Sequence, residues 1–258
     1  MAQSDILFRF FNDRGYQNIV VEQSNLEPPD LYVLSDGSYE RYGSLRNYIP
    51  SPDDIPAPVE AVAPDFAQAD VRARNGTVSF SFLKDILKIF GVDGSAEASA
   101  AGDSSGVEQM RLRDVTIKRN DVGAIEAALN QGFRSSEIGL DRIEGGLVHV
   151  AYEYVYSRGI SFDRTDGTSG ELKLGANVQA IANATVEVGA GRMGRETMKV
   201  ANGDRPVAIA FKTGKLVRIN SGWRILIGRG ANFAPNRNIV IKPNGYLRIA
   251  ARTLPTQP

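Results

Sequence analysis

The chain has 258 residues, 42% hydrophobic and 23% charged, with no cysteine and one histidine. That composition is globular rather than disordered, and it excludes disulfides, thiolate chemistry, Cys-type zinc sites and multi-histidine sites. The formal charge of zero hides a split: ten of the 30 basic residues and none of the 30 acidic ones lie in 205–258, so a body of net −10 precedes a region of net +10. The basic region suits an acidic surface of the same molecule, a polyanion or an anionic membrane, with a solvated basic face as the plain alternative.

No run of about twenty apolar residues occurs, and Met1 to Asn12 lacks the basic start, apolar middle and cleavage site of a secretory signal, so a cytosolic protein is expected. Ser4 is placed to cap a short amphipathic helix carrying Ile6, Leu7, Phe10 and Phe11, with Gly15 beyond its end. "YQNIVV" reads as a strand, and "LYVLSDGSYERYG" as a hairpin around Asp36-Gly37. Five prolines between Tyr48 and Pro64 predict a linker or surface loop without regular structure. The stretch Phe80 to Phe90 fits both periods: Val78, Phe80 and Phe82 alternate as in a strand, whereas Phe82, Leu83, Ile86, Leu87 and Phe90 follow helical spacing.

After a small, polar, loop-like segment at 95–106, "EQMRLRDVTIKR" is strand-like, and "NDVGAIEAALNQG" is a helix capped near Asn120 or Asp121 and ended by Gly132. "GLVHVAYEYVYS" alternates, with Val148, Val150, Tyr152, Tyr154 and Tyr156 on one side. Every even position from Leu172 to Ala190 is also apolar, including Leu174, Val178, Val186 and Val188. The polar tip "RTDGTSGE" joins the two into one long hairpin candidate. "PVAIAFKTGKLVRI" and "WRILIG" add strands, and "NIVIKPNGYLRIAA" adds a last hairpin around Asn244-Gly245.

Enzyme motifs find little support. "GAGRMG" matches G-x-G-x-x-G at Gly189, Gly191 and Gly194, but the residues after it are too few and too polar for the helix a dinucleotide fingerprint requires. His149 falls at the polar phase of its strand, where a surface or packing role is the expected one, and no nucleophile elbow, P-loop, zincin or EF-hand spacing is present. The reading is a non-enzyme with no catalytic residue, cofactor or metal.

A transmembrane strand needs about nine to eleven alternating residues within a closed barrel. The two alternating ribbons meet that length, with His149, Glu153, Lys173, Asn177, Gln179, Asn183 and Glu187 expected to face water. A pair of long strands with one face on a soluble core has the same period, so alternation alone leaves both readings open.

The order of features, "FFNDRGYQNIVV", "YGSL" at 42 to 45, "SFLKDILKIFG", "RLRDVTI" followed by a short helix, the long hairpin region and "FKTGKLVRI", resembles the bacterial branch of the gasdermin family along nearly the whole chain. The resemblance implies an α+β fold with a twisted, largely antiparallel central sheet and short flanking helices, the resting soluble state of a β-barrel pore-former. It implies a cytoplasmic monomer at rest that a partner protease activates by removing a C-terminal tail. Freed subunits would then assemble with membrane lipids and with one another into large rings in the inner membrane, causing cell death as a defence against phage.

By position, a pore-forming domain spans 1–229 and an inhibitory tail 230–258. One membrane hairpin draws on Thr77 to Phe90 and Val107 to Ile117, the other on Val148 to Phe162 and Leu172 to Ala190. Lipid-facing candidates are Phe80, Phe82, Val148, Val150, Tyr152, Tyr154, Tyr156, Leu172, Leu174, Val178, Val186 and Val188, and Arg192, Arg195 and Lys199 are placed for anionic headgroups at about 1 kcal/mol each.

The loop "GRGANFAPNRN" has the composition of an exposed, cleavable segment, with cutting expected near Arg237 and Asn238 or at Arg229. Ile239, Ile241, Tyr246, Leu247 and Ile249 would supply the apolar area that docks the tail. Two features depart from the family pattern: Ala2 stands where members often carry a lipidated cysteine, and the last hairpin is more strand-like than a minimal inhibitory peptide. The competing class is an α+β binding module whose basic C-terminal region grips nucleic acid or an acidic partner. Its aromatic residues (Phe211, Trp223, Phe233, Tyr246) are not interleaved as a base-stacking platform would be, so no nucleic-acid partner is expected.

Overall fold

The computed structural model describes residues 11, 13–19, 25–35, 38–63, 66, 71–72, 107–165, 185–190, 195–201, 206–220, 222–228, 239–241 and 247–249. The helix expected from Ser4 and the ambivalent stretch Phe80 to Phe90 lie outside these residues, apart from Phe11.

In chain order the strands are β1 (Gln17–Asn18), β2 (Asp30–Ser35), β3 (Ser38–Ser44), β4 (Val59–Val62), β5 (Val71–Arg72), β6 (Val107–Arg113) and β7 (Thr116–Arg119). Two helices follow, α1 (Val122–Gly132) and α2 (Leu140–Glu144). Then come β8 (Val148–Ser157), β9 (Gly159–Thr165), β10 (Thr185–Ala190), β11 (Arg195–Ala201), β12 (Val207–Ile219), β13 (Gly222–Leu226), β14 (Ile239–Ile241) and β15 (Leu247–Ile249). Every strand pairing among the described residues is antiparallel. The α+β class with a largely antiparallel central sheet and short helices is what the sequence led us to expect.

Eight strands form the body sheet, and the pairings order them. β8 and β12 are its centre. Ala151 pairs with both Asp30 and Thr213, and Glu153 with both Arg119 and Lys212, so β2 and β7 share one side of β8 and β12 takes the other. Lys215 pairs with both His149 and Leu226, which places β13 across β12 from β8. The flanks are therefore β2–β3 and β7–β4 on one side, and β1 and β13 on the other.

β2 and β3 pair as the hairpin the sequence predicts, with Ser35 opposite Ser38. The proline-rich segment is more regular than expected. It forms two 3-10 turns, Leu45–Tyr48 and Pro52–Asp54, and then β4, which pairs with β7. Edge position explains the difference: a strand bonded on one side only tolerates prolines around it.

α1 begins where Asp121 accepts a hydrogen bond from the Ala124 N–H at 2.8 Å. Its buried Ile125, Ala128 and Leu129 join Leu45, Ile49, Ile143, Val148, Val150, Tyr152, Leu216 and Trp223 in the larger core cluster. On the opposite face a smaller cluster gathers Ile19, Leu26, Tyr32, Ala151, Tyr154, Tyr156, Ala208 and Phe211. That second core is polar at its centre. The fully buried Asp30 receives Arg41 through Nε at 3.0 Å and Nη2 at 2.8 Å, and the Tyr154 hydroxyl at 2.9 Å, while the Tyr32 and Tyr154 hydroxyls lie 2.7 Å apart. Burial pushes the Asp30 pKa up, and the Arg41 pairing opposes that rise without cancelling it.

Candidate membrane-inserting sheet and C-terminal tail

All ten residues of β8 are buried. This corrects the one-sided reading of the first ribbon. Val148, Val150 and Tyr152 sit in the larger cluster, but Tyr154 and Tyr156 sit in the other. The cause is a β-bulge: Thr213 pairs with Ala151 and Lys212 with Glu153, so Tyr152 is the extra residue and the faces exchange beyond it. His149 and Glu153, expected to face water, are 4% and 5% exposed. Glu153 is held by Lys212 at 3.1 Å, by Arg119 at 3.9 Å and by the Tyr16 hydroxyl.

Beyond the body lies a second sheet of five strands in the order β10-β11-β9-β6-β5. The chain passes between the two sheets four times, and two of these crossings lie side by side. β8 runs into β9 with only Arg158 between them, and β6 runs into β7 through Asp114, whose φ of 48° makes the turn. The crossings are tied by the Arg158 N–H to the Arg113 carbonyl at 3.1 Å and by the Ser157 hydroxyl to the same oxygen at 2.7 Å. "RLRDVTI", one strand by its sequence, is thus two strands of two sheets.

Register gives this sheet two unlike faces. One row across all five strands aligns Val188, Met198, Phe162, Met110 and Val71, and the next on the same face toward the body aligns Val186, Val200, Ile160 and Leu112, while the row of this face farthest from the body aligns Ala190, Glu196 and Arg164. Rows of the alternate parity read Glu187, Lys199, Ser161 and Arg111, and Gly189, Thr197, Asp163 and Gln109. At the body end Leu112 is 4% exposed and Ile160 is fully buried, whereas Arg111 is exposed.

The expected neighbours differ from those observed. β9 does not pair with β10, because β11 lies between them, and β10 pairs with β11 across the connection 191–194. A four-residue connection closes with little chain entropy, which favours that local hairpin over one closed by the long 166–184 segment. Of "GAGRMG", Gly189 and Ala190 end β10, and the remaining residues lie outside the described ones. Val186 and Val188 fall in the apolar rows. Phe80, Phe82, Leu172, Leu174 and Val178 lie outside the described residues. Arg195 opens β11 at the end far from the body, Lys199 is interior to the strand, and Arg192 lies outside the described residues.

The strands β14 and β15 form a separate two-stranded sheet, with Ile239 opposite Ile249 and Ile241 opposite Leu247. β15 lies against the edge strand β3, with Cα separations within 8 Å. Arg229, Arg237, Asn238 and Tyr246, together with Ala2, are outside the described residues. Several basic residues of 205–258 have partners inside the chain: Lys212 on Glu153, Arg224 on Glu126 at 2.8 Å, and Arg218 over the Trp223 ring at 5.6 Å. Among the described residues no group of acidic and histidine side chains is arranged to hold a metal, and no helix is long and apolar enough to cross a membrane.

The model of the Bacterial Gasdermin Family matches residues 19–223. A gasdermin from Piscinibacter sakaiensis is 30% identical over 248 residues, covering 91% of this chain and 90% of its own length. A solved bacterial gasdermin from Bradyrhizobium tropiciagri, 15% identical, aligns over 87% of this chain and 91% of its own with a TM-score of 0.45.

Proposed function

Because the chain belongs to the bacterial gasdermin family, whose members are pore-forming, non-enzymatic proteins of cell death, we propose that it rests as an autoinhibited monomer in the cytoplasm. A partner protease cuts between Arg229 and Asn238, the tail beyond the cut leaves, and subunits assemble into large β-barrel pores in the inner membrane. The observation that carries this reading is the second sheet. Its rows Val188–Met198–Phe162–Met110–Val71 and Val186–Val200–Ile160–Leu112 make one face apolar up to the charged row of Glu196 and Arg164 at the far end, the opposite rows supply a polar face, and alternation of that kind is what a barrel wall requires.

Val148 to Tyr156 are better kept as the fixed core of the body, since a bulge spoils their alternation and both faces are buried. The membrane hairpins then draw on β6, β9, β10 and β11, extended by the segments holding Phe80, Phe82, Leu172, Leu174 and Val178. Arg195, at the end of β11 far from the body, and Arg192 before it in sequence are the candidates for headgroup contact, and Lys199 belongs to the polar face. Ile239, Ile241, Leu247 and Ile249 dock the tail.

Dye release from liposomes of bacterial lipid composition tests the proposal, comparing intact protein with protein cut at an engineered site between Arg229 and Arg237. Leakage after cutting alone is expected. Equal leakage before and after, or none from folded cut protein, would overturn it.

A further inference from the structure

At their junction the two sheets share one register. In the second sheet Gly159 pairs with Arg113, and in the body Tyr156 pairs with Thr116. Between these pairs lie Ser157 and Arg158 on one segment and Asp114 and Val115 on the other, two residues against two. The ladder of β6–β7 with β9–β8 therefore lacks only the pairs Asp114–Arg158 and Val115–Ser157. Such a match is not general at the junction. Where β11 passes into β12, the five residues 202–206 stand against Arg158 alone, between the pairs Ala201–Gly159 and Val207–Ser157. Closing that second ladder would leave residues over, whereas closing the first leaves none.

At rest the gap is held open. Asp114 turns the chain with its φ of 48°, and the fully buried Ser157 holds its hydroxyl 2.7 Å from the carbonyl oxygens of both Arg113 and Gly159. Asp114 and Arg158 are exposed, and among the described residues neither has an ion-pair partner. In an extended backbone these two become direct neighbours. Asp114 continues the parity of Met110 and Leu112, and Arg158 that of Phe162 and Ile160. Both then fall on the apolar face, opposite each other, one row beyond Leu112 and Ile160 toward the body. Side chains so placed have Cβ atoms about 4.5–5.5 Å apart, where opposite charges attract. A lone charge at the margin of a lipid-facing surface is unfavourable, and here each charge cancels the other.

We propose that the junction straightens without strand slippage into one continuous ladder, and that Asp114 and Arg158 are positioning residues whose cross-strand ion pair forms only in that straightened state. Ser157 is the clasp that has to open. This deepens the pore reading and rests on it.

Two comparisons on cut protein and liposomes test it. The chain has no cysteine, so Arg111→Cys with Ser161→Cys introduces one pair of thiols, directly opposite in the resting ladder and within disulfide reach. If the register is kept, the oxidised and reduced forms of this variant leak at the same rate. Leakage lost on oxidation and regained on reduction would reveal slippage and overturn the inference.

The second comparison uses Asp114→Asn, Arg158→Gln and the double variant. Asparagine tolerates the left-handed conformation at position 114, so the resting bend and the melting temperature of the intact protein should stay as they are. Each single variant leaves one charge alone and should leak about two- to fivefold more slowly than cut parent. The double variant, with neither charge, should return toward the parent rate. A role confined to the resting fold would instead shift the melting curve and would show no such rescue. Slowing that accumulates in the double variant, or none in either single variant, would overturn the pairing. If cut parent leaks and either comparison fails, the inference falls and the pore reading stands. If cut parent does not leak, the pore reading itself falls and takes the straightened state with it.

Discussion

The body sheet and the second sheet share continuous strands, since β6 passes into β7 and β8 into β9, yet their patterns diverge within a few residues of the junction. On the body side β8 is buried on both faces, its alternation is broken at Tyr152, and charged groups are fixed in the core by short bonds. On the other side the rows nearer the body keep apolar and polar residues apart from β10 to β6, and only at the far end do Glu196 and Arg164 enter the apolar parity and a bulge at Glu108 interrupt β6. The comparison teaches that period-2 alternation is a property of a segment, whereas the fate of that segment depends on bulges and on buried polar anchors. A strand anchored by a buried carboxylate and bulged in its middle is poor material for a lipid-facing wall; a strand with unbroken parity is good material.

The sharpest way to break this contrast is at the body's anchor. Asp30→Ala would leave the Arg41 guanidinium without its bidentate partner and the Tyr154 hydroxyl without its acceptor, lowering stability by about 3–5 kcal/mol. Urea denaturation of the intact protein measures it, and a loss below the error of that method would show that the polar core is not what fixes the body.

On the second sheet the corresponding change is Met198→Arg, in the apolar row, against Thr197→Arg, one residue away in the polar row. An arginine facing lipid near mid-depth costs about 2–4 kcal/mol per subunit, and a lumen-facing one costs little. Cut Met198→Arg protein is therefore expected to lose leakage that cut Thr197→Arg protein retains. Equal leakage from the two would dissolve the distinction between the faces.

Acid should act on the body. Burial, with Lys215 beside it, lowers the His149 pKa from 6.5 to about 4. A folded-state value below the unfolded one means that the contribution is intact above about pH 6.5 and is lost as the pH falls toward 4. Between pH 7 and pH 5 that loss is about 2 kcal/mol. His149→Gln should flatten this part of the stability profile when denaturation midpoints are compared across the range.

Much of this was legible in the sequence. The β2–β3 hairpin, the helix capped at Asp121, the two strands after Pro206 and the apolar parity of Val186 and Val188 all follow from local chemistry. Three features were not. The bulge at Tyr152 leaves no local signal, because "VHVAYEYVYS" alternates through it and only pairing with β12 shows which residue is extra. The division of "RLRDVTI" between two sheets turns on the positive φ of Asp114, a conformation aspartate tolerates without advertising it. The insertion of β11 between β9 and β10 is a matter of long-range pairing, which strand periodicity cannot order. For the tail, composition marked the cleavable loop, but that its strand would lie against β3 depends on which sheet edge the fold leaves open.

The smallest expected effect tests whether body stability and pore formation are separate properties. Asp121 accepts the Ala124 N–H at the start of α1, and Asp121→Ala removes that cap at a cost of about 1 kcal/mol. α1 packs on the body core and seals β13 through Asn130 and Glu126, but it contributes no residue to the rows of the second sheet. Its weakening should lower the melting temperature of the intact protein by a few degrees while leaving the leakage rate after cutting unchanged. If leakage fell in proportion to stability, the second sheet would depend on the whole body for its rearrangement. An unchanged rate places the determinants of insertion in β9, β10 and β11, where the parity is unbroken, and in β6 beyond its bulge at Glu108.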